Sequence, residues 1–299
     1  MAVYTSINDP SAYFQTALYN GNGSTNTITN DGNSNLRADW IWLKERSSTS
    51  SHHVFDSSRG VGASGKNLLP NANNAESDDA AFTSFNTDGF TLANTGGFNE
   101  NGQTNVAWQW KANGGTTASN SNGTITSTVQ ANDTAGFSIV TWTASGSSGT
   151  VGHGLSSAPT LTIRKSRGST ADWFVHTTQI DGSMDYLKLN TTDAASNSGL
   201  AAPTATTIGS DANSNNYVAY CFAEKQGYSR FGRYEGNGNA NGQFIYTGFK
   251  PAFILLKRTS SAQAWAMFDN KRPGYNETDL SLTANESGVE ETRRVDILS

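Results

Sequence analysis

The sequence predicts an all-β protein made of tandem antiparallel β-sandwich units, jelly-roll-like in type, and three observations carry that expectation. Charged residues make up only 15 % of the 299 positions, whereas Asn, Ser, Thr and 30 Gly fill the space between apolar segments. Short apolar runs alternate with Asn-Gly and Asp-Gly pairs, and one residue pattern returns at fixed offsets. Helical surfaces need a coat of Glu, Lys and Arg that this composition lacks, while short strands joined by polar turns need what it has. With 7 Trp, 10 Tyr and 14 Phe the chain also has the apolar area for a core, which excludes a disordered tail.

Within each unit, seven or eight short strands are expected at roughly 8–12 residue spacing. Trp40-Ile41-Trp42-Leu43 and Phe253-Ile254-Leu255-Leu256 are apolar on both faces and are predicted to be central strands covered on two sides. Thr141-Trp142-Thr143 and Tyr220-Cys221-Phe222 alternate, so they are predicted to be half-exposed. Asn22-Gly23, Asp31-Gly32, Asp88-Gly89, Asn122-Gly123, Asp181-Gly182 and Asn241-Gly242 offer positive-φ residues for hairpin turns. No long amphipathic helix is evident.

The repeat sets the organisation. Apolar runs ending in basic residues place Lys165 and Lys257 at offsets of 121 and 213 from Lys44, and both offsets carry on downstream. Val54-Phe55-Asp56-Ser57-Ser58-Arg59 aligns with Met267-Phe268-Asp269-Asn270-Lys271-Arg272, and His52 aligns with Trp173 and Trp265. Asn105 to Trp110 aligns with Tyr217 to Phe222 at an offset of 112, so the second copy is nine residues shorter around Ser84 to Leu92. The expected organisation is an N-terminal arm at 1–11, a sandwich repeat at 12–114, a polar linker at 115–135, a second repeat at 136–226 and an incomplete third repeat at 230–299. The third copy calls for strands supplied by further chain or from elsewhere.

A net charge of -5 argues against nucleic-acid binding, which needs a clustered positive surface. The thickest basic group, Lys250, Lys257, Arg258, Lys271 and Arg272, reads as solvated strand ends. Cys221 is the single cysteine, which excludes an internal disulfide framework and a zinc site built on paired cysteines. The opening MAVYTSINDP lacks the basic and apolar regions of a secretory leader, and no run of 18 apolar residues is present, so neither export nor membrane insertion is expected.

Catalytic motifs are absent, and no enzyme activity and no cofactor are expected. Gly62-Ala63-Ser64-Gly65-Lys66-Asn67 lacks the hydroxyl of a complete phosphate loop. His52-His53 would point to opposite faces of a strand, and the sparse Glu residues form no recognisable acid pair, so a glycan depolymerase is disfavoured. Calcium at Asp78-Asp79 or Asp211 is left open, without EF-hand spacing. The repeated Phe-Asp-x-x-Arg gives the candidate ligand-binding residues Asp56, Arg59, Asp269 and Arg272, to which Trp265 is added as a stacking platform. Asp and Arg beside an aromatic ring suit sugar hydroxyls. The favoured alternative is structural: the Asp accepts turn N–H groups and pairs with the Arg, and the Trp belongs to the core.

Thr247 to Arg258, Phe268 to Arg272, Gly89-Phe90-Thr91-Leu92 and Tyr217 to Glu224 together resemble a repeat family of unknown function found in tail-fibre and appendage proteins of marine bacteriophages. The resemblance runs from about residue 12 to the end, and the second copy departs from it in lacking Phe-Asp-x-x-Arg. It implies a virion structural protein, a tail fibre or tail-associated appendage, assembled in the host cytoplasm and partnered by itself, by other virion proteins and by host surface glycan. A glycan-binding, lectin-like adhesin and a capsid-decorating protein are the alternatives.

Overall fold

The computed structural model describes residues 5–93, 97–274 and 276–298. The described residues are all-β, every strand pair is antiparallel and one isolated bridge, Ile125–Val151, is parallel, with two single turns of 3-10 helix at Pro10–Ala12 and Gly62–Ser64. The stretch 12–114, named the first unit after the sequence repeat, contributes β1 (Phe14–Asn20), β2 (Asn26–Ile28), β3 (Trp40–Glu45), β4 (His53–Asp56), β5 (Lys66–Asn67), β6 (Ser77–Asp78), β7 (Phe82–Phe85), β8 (Phe90–Leu92) and β9 (Thr104–Trp110). Then follow β10 (Ala118–Asn120), β11 (Ser127–Asn132), β12 (Phe137–Thr143), β13 (Gly149–Gly152), β14 (Leu161–Ser166), β15 (Phe174–Thr177), β16 (Asp185–Lys188), β17 (Ser196–Asn197), β18 (Thr207–Ser210) and β19 (Asn216–Phe222). The last part holds β20 (Phe253–Leu256), β21 (Ala266–Asp269), β22 (Thr278–Thr283) and β23 (Glu291–Val295).

The principal sheet of the first unit has the order β1-β9-β3-β4, and a Val54–Leu68 bridge leads on to the β5-β6 pair. An eight-stranded sheet, β10-β11-β12-β19-β14-β15-β16-β17, contains the same succession at the shifted positions. The last sheet runs β20-β21-β22-β23. A smaller sheet lies over each of the first two: β2-β8-β7 over one, β13-β18 over the other.

Alternating side chains divide the core. Trp40, Trp42 and Trp108, with Ile163, Val175 and Tyr220, and with Trp265, Met267 and Leu282, share one buried cluster drawn from all three parts of the chain. The opposite faces build separate clusters: Ile41, Leu43 and Phe55 meet Phe82 and Phe90, while Val140 and Trp142 meet Val151 and Ile208. The period-two geometry of a strand sends neighbours to opposite sides, so β3 is buried along its whole length. Such two-sided burial is what its unbroken apolar sequence requires.

Four local expectations change. Residues 115–135 are not a plain linker, because β10 and β11 extend the eight-stranded sheet beyond β12. Tyr220 and Cys221 are fully buried rather than half-exposed, since the common core covers one face of β19 and the small sheet the other. Phe253–Leu256 is only partly buried because β20 stands at a sheet edge. Of the six paired turn glycines, Gly23, Gly89 and Gly182 take positive φ. At Gly89 a Cβ would also stand 2.0 Å from the Ile28 carbonyl oxygen, so the β7-β8 turn needs glycine for conformation and for space.

Candidate functional site

The Phe-Asp-x-x-Arg segments close β4 and β21, where the chain turns away from the sheet. Asp56 Oδ1 accepts the backbone N–H groups of Ser58 and Arg59 at 3.1 and 3.0 Å, and Arg59 Nε donates to Asp56 Oδ2. Asp269 does the same with Lys271 and Arg272, both at 3.0 Å, while Arg272 Nε donates to its Oδ2 at 2.7 Å. Each arginine also caps its own strand, Arg59 on the Val54 carbonyl and Arg272 on that of Met267. All four side chains are fully buried.

The rest of each guanidinium reaches a glutamate. Arg59 Nη1 donates to Glu76 at 2.9 Å and Arg272 Nη1 to Glu290 at 3.1 Å. A second arginine from a different unit grips each glutamate with two parallel bonds: Arg167 holds Glu76 at 2.9 and 2.9 Å, and Arg46 holds Glu290 at 2.8 and 2.9 Å. Bidentate pairs of this kind are the strong, geometrically selective ones. The aspartates also accept from a neighbouring unit, Asp56 from the Tyr220 hydroxyl at 2.7 Å and Asp269 from the Trp108 indole at 3.0 Å. The Arg272 guanidinium lies 5.7 Å from the Trp108 ring centre.

Burial works against ionising Glu76, but Arg167 and Arg59 outweigh it and hold the carboxyl below its ordinary range. Burial likewise opposes the charge of Arg59, and Asp56, Tyr220 and Glu76 reverse that effect. Glu76 and Arg59 are therefore each held in the charged form by their buried partners. Removing one member leaves a charge without compensation.

The equivalent place in the second unit holds no such charges. Thr177, Ile180 and Ala195 stand where Asp56, Arg59 and Glu76 stand, and Thr259 faces them in place of Arg167. The main-chain link persists nonetheless. Glu76 N donates to Arg167 O at 2.8 Å, Ala195 N to Thr259 O at 2.9 Å, and Glu290 N to Arg46 O at 3.1 Å, each bond joining two units.

Trp265 belongs to a second ring of contacts. The backbone N–H groups of His52, Trp173 and Trp265 each donate to an asparagine of their own unit, Asn71, Asn190 and Asn285, at 2.9, 2.8 and 2.8 Å. Their ring nitrogens reach the next unit: Trp173 donates to Leu69 O at 2.9 Å and Trp265 to Lys188 O at 2.8 Å. His52 Nδ1 accepts from the Trp42 indole at 2.8 Å, so its Nε2 carries the proton that meets Thr283 O at 3.1 Å. Burial, with a smaller contribution from Lys44, pushes His52 well below its ordinary range and keeps it neutral.

Lys44, Lys165 and Lys257 follow one plan as well, each ammonium donating to the carbonyl of the residue after it. Burial lowers Lys44 and Lys165 to about 8.

The sequence thus located Asp56, Arg59, Asp269, Arg272 and Trp265 as special. The structure brings the first two together at one junction, the next two at another, and Trp265 into the common core, 3 % exposed. Their polar atoms are engaged inside the protein, and none presents an open face to a sugar. Glu76, Glu290, Arg46, Arg167 and Tyr220 complete the junctions and were not singled out. Glu290 stands 214 residues after Glu76, one more than the repeat offset of 213, so neither this pairing nor the cross-unit partners followed from the offset alone. Among the described residues no cluster of three or more His, Cys, Asp or Glu side chains is arranged to hold a metal, and no helix is long and apolar enough to cross a membrane.

A family model described as a domain of unknown function, DUF7483, matches residues 9–299. No curated protein and no solved structure matches the chain.

Proposed function

We propose, from the premise that the chain belongs to the DUF7483 family of unknown function, that it is a structural protein of a bacteriophage particle. In this reading it is a tail fibre or tail-associated appendage, assembled in the host cytoplasm with copies of itself and other virion proteins, and in contact with the host surface. In this reading its units are three jelly-roll-like β-sandwiches of one kind, the last incomplete, which share a buried cluster drawn from all three.

The observation that supports an architectural role is the use made of the chemistry-bearing residues. Both Asp-Arg-Glu clusters and the Trp265 ring are committed to junctions between units, where they add cohesion and fix the packing geometry. The sequence resemblance to phage appendage repeats supplies the setting. A capsid-decorating protein shares the composition and is the competing placement.

Immunogold electron microscopy of intact particles with antibody raised against the purified chain separates these placements. Label confined to the tail is expected. Label over the head would move the protein to capsid decoration, and particles without label, from a lysate that contains the chain, would remove the virion assignment.

A further inference from the structure

The second unit lacks a counterpart of β7. Between β17 and β18 the chain runs from Asn197 to Thr207 without a strand, whereas the first unit places β7 between β6 and β8. In the first unit this strand delivers Phe82, which stacks on Phe55 with centroids 4.9 Å apart, and Phe98 closes over Phe55 and His53 at 5.7 and 4.7 Å. His176 occupies the place of Phe55 and Phe174 that of His53. No Phe82 covers them, and Ser210 stands six positions before β19 where Phe98 stands six before β9.

The uncovered face is a cleft of about 240 Å³ lined by Phe174, His176, Tyr186, Ser198, Asp211, Asn213 and Tyr217. This is just below the roughly 300 Å³ at which drug-sized pockets begin, and suits a single ring. Phe174 and Tyr186 are half-buried and meet edge to face at 5.1 Å, which leaves an aromatic surface at the opening. Polar groups stand beside it: the part-exposed Asp211 carboxylate, and Asn213, whose amide donates to the Tyr217 hydroxyl at 2.6 Å.

Three deeply buried polar atoms here have no partner, one of them Thr162 Oγ1 directly across the β14–β15 ladder from His176. His176 is 3 % exposed and its Nδ1 is unbonded; Arg164 is 1 % exposed and its Nε is unbonded. Buried polar groups are ordinarily satisfied, so these atoms mark a place where a partner is missing. The charge balance is neutral. Arg164 donates to Asp211 at 3.3 Å and to Gly209 O at 2.8 Å, with its guanidinium 5.4 Å from the Trp142 ring centre. Burial and the nearby Arg164 hold His176 well below its ordinary range, as a neutral imidazole.

We propose that this cleft binds a neutral pyranose ring, one face stacked on Tyr186 with Phe174 against its edge, and its hydroxyls bonded to Asp211, Asn213 and His176. An apolar face combined with several hydroxyls on the edge is the chemistry of an uncharged hexose, and a site without net charge gives an anionic sugar no advantage. The inference deepens the host-surface reading and rests on it only for the origin of the sugar. It assigns contact to the unit that lacks Phe-Asp-x-x-Arg, opposite to where the motif pointed.

The test is saturation-transfer NMR on the purified full chain with the methyl glycosides of glucose, galactose and mannose, and with glucuronate as the charged comparison. Saturable binding of at least one neutral glycoside in the ~1 mM range is expected. Tyr186→Ala should weaken it at least about fivefold, Tyr186→Phe should leave it within about twofold, and Ser198→Phe, which fills the rim, should abolish it. Thermal unfolding of each variant checks the fold, and Ser198→Phe keeps the site testable if Tyr186→Ala is destabilised. Absence of saturable binding by the neutral glycosides, tighter binding of glucuronate, or wild-type binding by Ser198→Phe would each overturn the proposal. Particle labelling is read separately, so the failure of either reading is distinguishable from failure of the other.

Discussion

The Tyr220 hydroxyl donates to Asp56 Oδ2 at 2.7 Å, joining residues 164 positions apart across the junction of the first two units. Both groups are fully buried. Tyr220→Phe removes the donor while preserving the ring that stacks on Trp40 at 4.3 Å. A loss of about 1–3 kcal/mol is expected, measured as a lower urea midpoint with an unchanged slope. An unchanged midpoint would show that Asp56 is satisfied without Tyr220.

Arg59 balances two carboxylates, so Arg59→Ile alone is expected to destabilise by about 3–5 kcal/mol. The second unit shows an uncharged solution at the same place, with Thr177, Ile180 and Ala195. Copying it through Asp56→Thr, Arg59→Ile and Glu76→Ala together should recover much of the loss. Chemical denaturation of the single and triple variants decides this, and a triple variant no more stable than the single one would contradict it.

All four histidines, His52, His53, His153 and His176, are lowered, chiefly by burial, His53 to about 4. Below roughly pH 6.5 the unfolded chain therefore takes up protons that the folded chain refuses, and stability falls as the pH drops. Glu45 and Asp185, raised chiefly by burial, oppose this only near their own titration range. The urea midpoint should be lower at pH 5 than at pH 7.

On the alkaline side the sign follows from Lys44 and Lys165, which burial lowers to about 8. Between there and the ordinary lysine value of about 10.4 the unfolded chain binds more protons, so these groups make stability rise with pH. Cys221, raised to about 12, opposes this from about pH 9, and Tyr19, Tyr220 and Tyr228, raised chiefly by burial, reverse the trend above about pH 10. Double replacement Lys44→Met and Lys165→Met should flatten the rise between pH 8 and 10 in the same denaturation series.

Cys221 is buried and its thiol is pushed up to about 12, principally by burial. Thiolate is the reacting form. At pH 8 the native protein should resist a disulfide reagent, and reaction should appear with the unfolding transition in urea. Rapid labelling before that transition would mean that β19 opens locally.

Much of this organisation was readable from local pattern. Trp40 to Leu43 is apolar on both faces and is covered on both faces, and the offsets of 121 and 213 relate His52 to Trp173 and Trp265, whose backbone bonds match. The Asp-to-turn bonds were legible because Asp and Arg stand three residues apart. What escaped depended on distant chain. Ala118 to Asn120 is too polar to signal a strand, yet it pairs with β11 through its backbone. Tyr220 looked half-exposed because alternation within β19 cannot reveal a second layer. The nine-residue shortening was visible, but its consequence, an uncovered aromatic face, needed the knowledge that Phe82 lies on Phe55.

The Arg46–Glu290 clasp spans 244 residues and joins the earliest sheet to the last. At ribosomal speeds of roughly 5–20 residues per second, about 12–50 s separate the emergence of its two halves. During that interval Trp108 and Trp110 on β9 lack their ring neighbour Phe253 of β20. The chain therefore carries part of its central aromatic face uncovered until its last sheet is made, so the order of synthesis, and not only the finished contacts, bears on how that face is kept from other chains.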